Sequence, residues 1–150
     1  MEELYEQLRN RHNLPAFDVM DREFEISEID DDAFMLRSIR KNIADKIESA
    51  IKIFDELFHP DSGFASFREA NAFTETDRER MLDTYKRLRY FYRLSTELSF
   101  DDSDELNAEF MNSFMKEWPE LKKSVLSFVR KLKESWQKDI TKKEVVGYLG

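Results

Sequence analysis

The chain has 150 residues, with 41% hydrophobic and 37% charged side chains, 13 Phe, and only 3 Gly and 3 Pro. Such a composition excludes a disordered chain and supplies too few turn formers for an all-β fold. Cysteine is absent, which excludes disulfides, thiolate metal sites and a cysteine nucleophile, and the net charge of −8 opposes nucleic acid and anionic membranes unless the charge is segregated.

The length fits one domain spanning 1–150. Residues 2–11 read as a short helix with Leu4, Tyr5 and Leu8 on one side. Pro15 ends it, because a proline disfavours helical geometry in the residue before it, and the same proline suits the first turn of a second short helix to about Arg22. From Phe24 to Ile29 apolar and polar residues alternate, the period of an extended segment. Asp30-Asp31-Asp32 then marks a helix start, since carboxylates accept from the free N–H groups there. The helix it opens carries Leu36, Ile39, Ile43, Ile47, Ala50, Phe54 and Leu57 at steps of three and four, and Pro60 stops it. Residues 60–75 are expected to be a loop holding Phe64, Phe67 and Phe73.

Thr76 and Glu79 are spaced as a capping box, opening a helix to about Leu98 with Met81, Tyr85, Leu88 and Tyr92 toward the core. The acidic cluster 101–105 opens the next, with Leu106, Phe110 and Phe114 at steps of four. Trp118-Pro119 is expected to break or kink the chain before a last long stripe of Leu121, Val125, Phe128, Leu132 and Trp136. Thr141 and Glu144 form a second capping box, flanked by Ile140 and Val145 at staple positions, which predicts a short helix over 142–149 weakened by Gly147. The expected fold is therefore all-α: an antiparallel up-down bundle of about four long helices, with short N-terminal helices, an extended segment near 24–29 and a short C-terminal helix.

Charge is segregated along this plan. Residues 1–77 carry 9 basic and 19 acidic side chains, residues 78–93 carry 6 and 2, residues 94–115 carry none and 6, and residues 116–143 carry 9 and 4. Acidic and basic helices lying side by side account for this most simply. The acidic start Met1-Glu2-Glu3-Leu4 lacks the basic and apolar regions of a secretory signal, and no apolar run approaches the ~20 residues of a membrane span. A cytoplasmic protein with no membrane attachment is expected.

Chemistry-bearing patterns are few. Glu56-x-x-His59 is one Glu-x-x-His pair where a di-iron bundle uses two, and it lies at a helix end, where His59 suits the negative terminus. The other histidine, His12, neighbours Arg9 and Arg11, which repel a cation. Asp101-x-Ser103-x-Glu105 lacks the glycine and the distal glutamate of a calcium loop and reads as a helix cap. Glu2-Glu3-x-x-Glu6 followed by Glu28-x-x-Asp31 resembles the carboxylate pattern of the all-α nucleotide pyrophosphohydrolases related to MazG. That resemblance implies Mg²⁺ held by these acids, with a nucleotide triphosphate as substrate. The sequence departs from it in that the second pair straddles an expected helix boundary. Helix capping and solvation account for the same residues, so no metal, cofactor or catalytic residue is assigned.

The segment 85–93 interleaves basic and aromatic residues, as nucleic-acid binders do. On a helix Arg78, Lys86, Arg89 and Arg93 share an arc of about 80°, with Tyr90 and Leu94 to one side. Pairing with an acidic neighbour is the simpler expectation for these cations. Apolar residues nearly encircle this helix, so Tyr90, Phe91 and Leu94 become candidates for contact with another protein. Val145, Val146, Tyr148 and Leu149 at the C-terminal end are further candidates, because so short a helix needs something to hold it. The function expected is that of a non-enzymatic interaction module, whether adaptor, accessory subunit or regulator, with another protein or a homo-oligomer as partner. A nucleic-acid-associated protein using the basic arc is the alternative, and the Mg²⁺-dependent hydrolase stands third.

Overall fold

The computed structural model describes residues 1–30, 33–138 and 142–149. Among them are seven α-helices: α1 (Glu2–His12), α2 (Phe17–Phe24), α3 (Met35–Phe58), α4 (Phe64–Ala70), α5 (Glu75–Phe100), α6 (Asp104–Ser135) and α7 (Lys142–Leu149). No strand occurs among the described residues, and no helix is long and apolar enough to cross a membrane. The long helices number three rather than about four: α3, α5 and α6, each packed against the other two.

The count differs because α6 runs unbroken through Pro119. A proline removes one intrahelical hydrogen bond and crowds the preceding turn, at a cost of about 3 kcal/mol in a helix interior. Here Pro119 is on the exposed side, where the carbonyl it leaves without a donor can be hydrated. Buried Trp118 and Leu121 pin the chain to the core on either side of it. Burying two large side chains offsets the defect, at roughly 1.5–3 kcal/mol each.

The core is one continuous cluster. Ile39, Ile43 and Ile47 of α3 are fully enclosed, as are Leu88 of α5 and Met111, Phe114 and Leu121 of α6. Of the expected stripe on α3 only Leu57 is merely half-buried. Rings organise the centre: Phe114 lies 5.3 Å from Phe91, 6.2 Å from Phe110 and 5.2 Å from Trp118 between ring centroids. Such pairs add about 0.5–1.5 kcal/mol beyond their burial.

Four local expectations are corrected. The segment after α2 is not extended: Glu25 takes a left-handed conformation (φ 53°) with its N–H on the Asp21 carbonyl, and Ile26–Glu28 form a 3-10 turn. The Ser27 N–H donates to Asp21 Oδ1 at 2.7 Å, so a local cap outweighs the alternating pattern. Residues 60–75 are not one loop, because Phe64–Ala70 form α4. Helix α5 starts two residues early: the capping box is Thr74 with Asp77, the Thr74 N–H donating to Asp77 Oδ2 at 3.0 Å and the Asp77 N–H to Thr74 Oγ1 at 3.1 Å. Asp77 wins over Glu79 because its carboxylate also accepts from Lys131 of α6 (2.7 Å) and Arg80 (2.9 Å), joining the cap to the tertiary fold. Helix α3 starts at Met35 behind Phe34, with no acid in its first turn; Asp31 and Asp32 of the expected cap lie outside the described residues.

Three buried or half-buried anchors fasten the N-terminal helices. Enclosed Tyr5 donates to the Pro15 carbonyl at 2.6 Å. Asn112 of α6 donates to the His12 carbonyl at 3.2 Å. Glu23 of α2 accepts from Trp118 Nε1 (2.7 Å) and Lys122 Nζ (2.8 Å) of α6. Burial alone pushes the Glu23 carboxyl up, but the hydrogen bonds from Lys122 and Trp118 outweigh it and hold the group below its ordinary value.

Candidate interaction site

Helix α7 has no fully buried residue, and Tyr148 and Glu144 are its half-buried ones. Its attachment is built from α4. Phe64 and Phe67, three apart and therefore on one face, grip the Tyr148 ring at centroid distances of 5.4 and 5.6 Å. The Tyr148 hydroxyl donates to the Ser62 carbonyl at 2.7 Å.

Arg68, on the same helix, is the second anchor. It is buried, and its guanidinium donates to the Ser135 carbonyl (2.7 and 3.1 Å), to the Lys138 carbonyl (2.6 Å) and to the Glu144 carboxylate of α7. The first two acceptors are at or just past the end of α6, where helical carbonyls lack partners and a cation is favoured. The guanidinium also lies 5.6 Å from the Trp136 ring. One arginine thus closes α6 and fastens α7, leaving a cleft of about 410 Å³ between Asn71, Ala72, Ser135 and Lys143.

This arrangement divides the C-terminal candidates. Tyr148 faces inward, on α4. Val145, Val146 and Leu149 face solvent, Val146 at 67% and Leu149 at 75% exposure. The expected capping box at Thr141 and the staple at Ile140 lie outside the described residues.

On α5 the core face is Met81, Thr84, Leu88, Phe91, Ser95 and Leu98, turned slightly from the expected one, so that Tyr85 and Tyr92 are half-buried. Phe91 is therefore core, against Phe110 and Phe114, and is not available to a partner. Leu94 is half-buried, whereas Tyr90 stands in solvent.

The basic arc is split. Arg89 pairs with Asp55 of α3 at 3.1 Å and donates to the Tyr85 hydroxyl at 3.1 Å, which itself donates to Asp55 at 2.6 Å. Tyr85 and then Asp55 hold the Arg89 guanidinium above its ordinary value. Arg78 donates to the Ala70 carbonyl at 2.9 Å. Lys86 and Arg93 are exposed and make no ion pair among the described residues.

Other residues, not singled out in the sequence, join the long helices. Arg87 reaches Glu117 (2.9 Å) and Glu120 (3.4 Å) of α6. Buried Arg40 of α3 donates to the Ser95 carbonyl at 2.5 Å and its hydroxyl at 3.1 Å on α5. Glu117 and Glu120, three apart on one face of a helix, were the available signal for the first. An arginine inside an apolar stripe offered none for the second.

The acids of the hydrolase-like pattern are dispersed in role. Glu2 and Glu3 are exposed, Glu6 lies 3.3 Å from Arg9, Glu28 is exposed in the 3-10 turn, and Asp31 is outside the described residues. Glu56 is exposed, and His59 ends α3 rather than facing a bundle interior. Among the described residues no three His, Asp or Glu side chains gather as a metal site. Comparison of the chain with protein-family models, curated proteins and solved structures found no match.

Proposed function

We propose that this chain is a non-enzymatic, cytoplasmic protein-interaction module that presents α7 to a partner from an antiparallel, up-down set of long helices. The observation that carries this reading is the two-sided build of α7. Its inner side is fixed by Arg68–Glu144 and by Tyr148 between Phe64 and Phe67, while Val145, Val146 and Leu149 form an apolar outer side exposed among the described residues. A helix held in place by polar anchors keeps its apolar side free and pre-ordered, which lowers the entropy lost on docking. An adaptor, an accessory subunit or a regulator fits equally.

The test is affinity capture with the intact chain and with Val146→Asp/Leu149→Asp, read by mass spectrometry. A protein retained by the first and lost by the second, at unchanged melting temperature, supports the reading. Identical captured sets for both chains overturn it.

A second reading draws on α5, where Lys86, Tyr90 and Arg93 stand exposed on one side of the helix. Exposed cations beside an aromatic ring suit a single-stranded nucleic acid. Titration with a labelled oligonucleotide separates the two: binding that weakens with salt and with Lys86→Glu/Arg93→Glu favours it. Mg²⁺-dependent release of pyrophosphate from a nucleotide panel would instead support the hydrolase.

A further inference from the structure

The outward face of α5 bears a run of exposed residues three and four apart: Leu82, Lys86, Tyr90, Arg93, Glu97 and Phe100. They fall within one arc of about 80°, opposite the buried face. Leu82 is 44% exposed, Tyr90 64% and Phe100 89%, so large apolar groups sit at both ends and near the middle. Lys86, Arg93 and Glu97 have no ion-pair partner among the described residues.

The order of these residues matters more than their exposure. Reversed end for end about a point midway between Tyr90 and Arg93, the stripe meets its own complement. Lys86 then falls opposite Glu97, Tyr90 opposite Arg93, and Leu82 within one residue of Phe100. Apolar groups face apolar groups, a cation faces an anion, and a guanidinium faces a ring, an attractive arrangement. A parallel alignment in register would instead set Lys86 against Lys86 and Glu97 against Glu97.

We propose that α5 pairs antiparallel with α5 of a second copy of this chain, across a twofold axis between Tyr90 and Arg93. A twofold interface requires such self-complementarity, since each contact occurs twice. The paired stretch of residues 82–100 is about 27 Å long at 1.5 Å per residue. A strip of that length and one helix wide is smaller than the ~800 Å² per partner of a standard stable interface, so the dimer is weak and concentration-dependent. This inference rests on α5 alone and does not depend on α7.

Sedimentation equilibrium tests it, on the full chain and three charge variants, at low salt because exposed pairs are screened. The wild type is expected to dimerise in the range up to about 300 µM. Lys86→Glu and Glu97→Lys, each setting like charges opposite one another, should each weaken the dimer about tenfold or more. Lys86→Glu/Glu97→Lys together should restore it to within about threefold of wild type, because the pair is exchanged rather than removed. Both residues changed are exposed, and matching thermal melts establish that each variant folds. A wild type monomeric throughout that range, a dimer indifferent to the single reversals, or a double variant no better than the singles overturns the proposal.

Discussion

The junction of α3, α5 and α6 and the seat of α7 on α4 are held by different physics. In the first, Ile39, Ile43, Ile47, Phe110 and Phe114 are almost wholly enclosed, and attachment is the sum of many undirected contacts. In the second, no residue of α7 is fully buried, and the Arg68 guanidinium, the ring clamp on Tyr148 and the Tyr148–Ser62 hydrogen bond hold it. A burial-driven junction resists opening in proportion to its area. A junction of a few directional contacts opens as a local event, well below the free energy of global unfolding. The seat of α7 is therefore expected to open at a lower free energy than the body.

The largest effect is expected in the body. Ile47→Ala leaves a cavity among enclosed neighbours and should lower the unfolding free energy by about 2–5 kcal/mol, read by urea denaturation. A smaller loss, about 1–3 kcal/mol, is expected for Arg68→Ala, which strips donors from the Ser135 and Lys138 carbonyls as well as from Glu144. Amide exchange should show α7 opening in that variant, whereas with Ile47→Ala it should remain as in the wild type relative to the body.

Asp77 joins the cap of α5 to α6, and its pH dependence sharpens the comparison. Lys131, with the Thr74 N–H, holds its carboxyl well below the ordinary range in the folded chain. A lowered folded value means stability that is complete above the unfolded carboxylate pKa of about 3.9, declines below it, and is lost as pH falls through the folded value. The gap in urea midpoint between wild type and Asp77→Asn should therefore narrow as pH is lowered from about 6 to about 2. A gap that widens on acidification would contradict the assigned role.

Truncation after Lys138 removes α7 and should change global stability by less than about 1 kcal/mol, within the range of surface changes. A loss of several kcal/mol would place α7 in the body and end the contrast. The smallest effect concerns Gly147. A methyl group there meets Phe67 at an ordinary 3.8 Å, so Gly147→Ala is sterically tolerated. It should leave the thermal midpoint alone while slowing amide exchange within α7 by about fivefold or less, the helix-propensity gain alone.

The all-helical class and the core of α3 and α6 were legible in the amino-acid order, because 3.6-residue periodicity is local and the stripes of Leu36 to Phe54 and Leu106 to Phe114 are dense. The division of α7 into an inner and an outer side was legible only in part. Val145, Val146, Tyr148 and Leu149 read as one apolar group, yet the fold turns Tyr148 toward α4 and leaves the rest outside. Likewise nothing in the run 85–93 distinguished Phe91, which the core takes, from Tyr90 beside it, which the solvent takes.

What the sequence determined by itself is whatever adjacent residues decide among themselves: helix existence, approximate ends, and the apolar stripes. Tertiary structure decided the cases in which two local options lie within about 1 kcal/mol of each other, or in which a distant partner changes the balance. Asp77 rather than Glu79 caps α5 because Lys131 lies across from it. Helix α6 continues through Pro119 because Trp118 and Leu121 are buried on both sides of it. Half of the basic arc is used internally because Asp55 and the Ala70 carbonyl come within reach. Arg68 became the hinge between body and tail because residues 67 and 76 positions away in the chain converge on it, a proximity that only the folded chain creates.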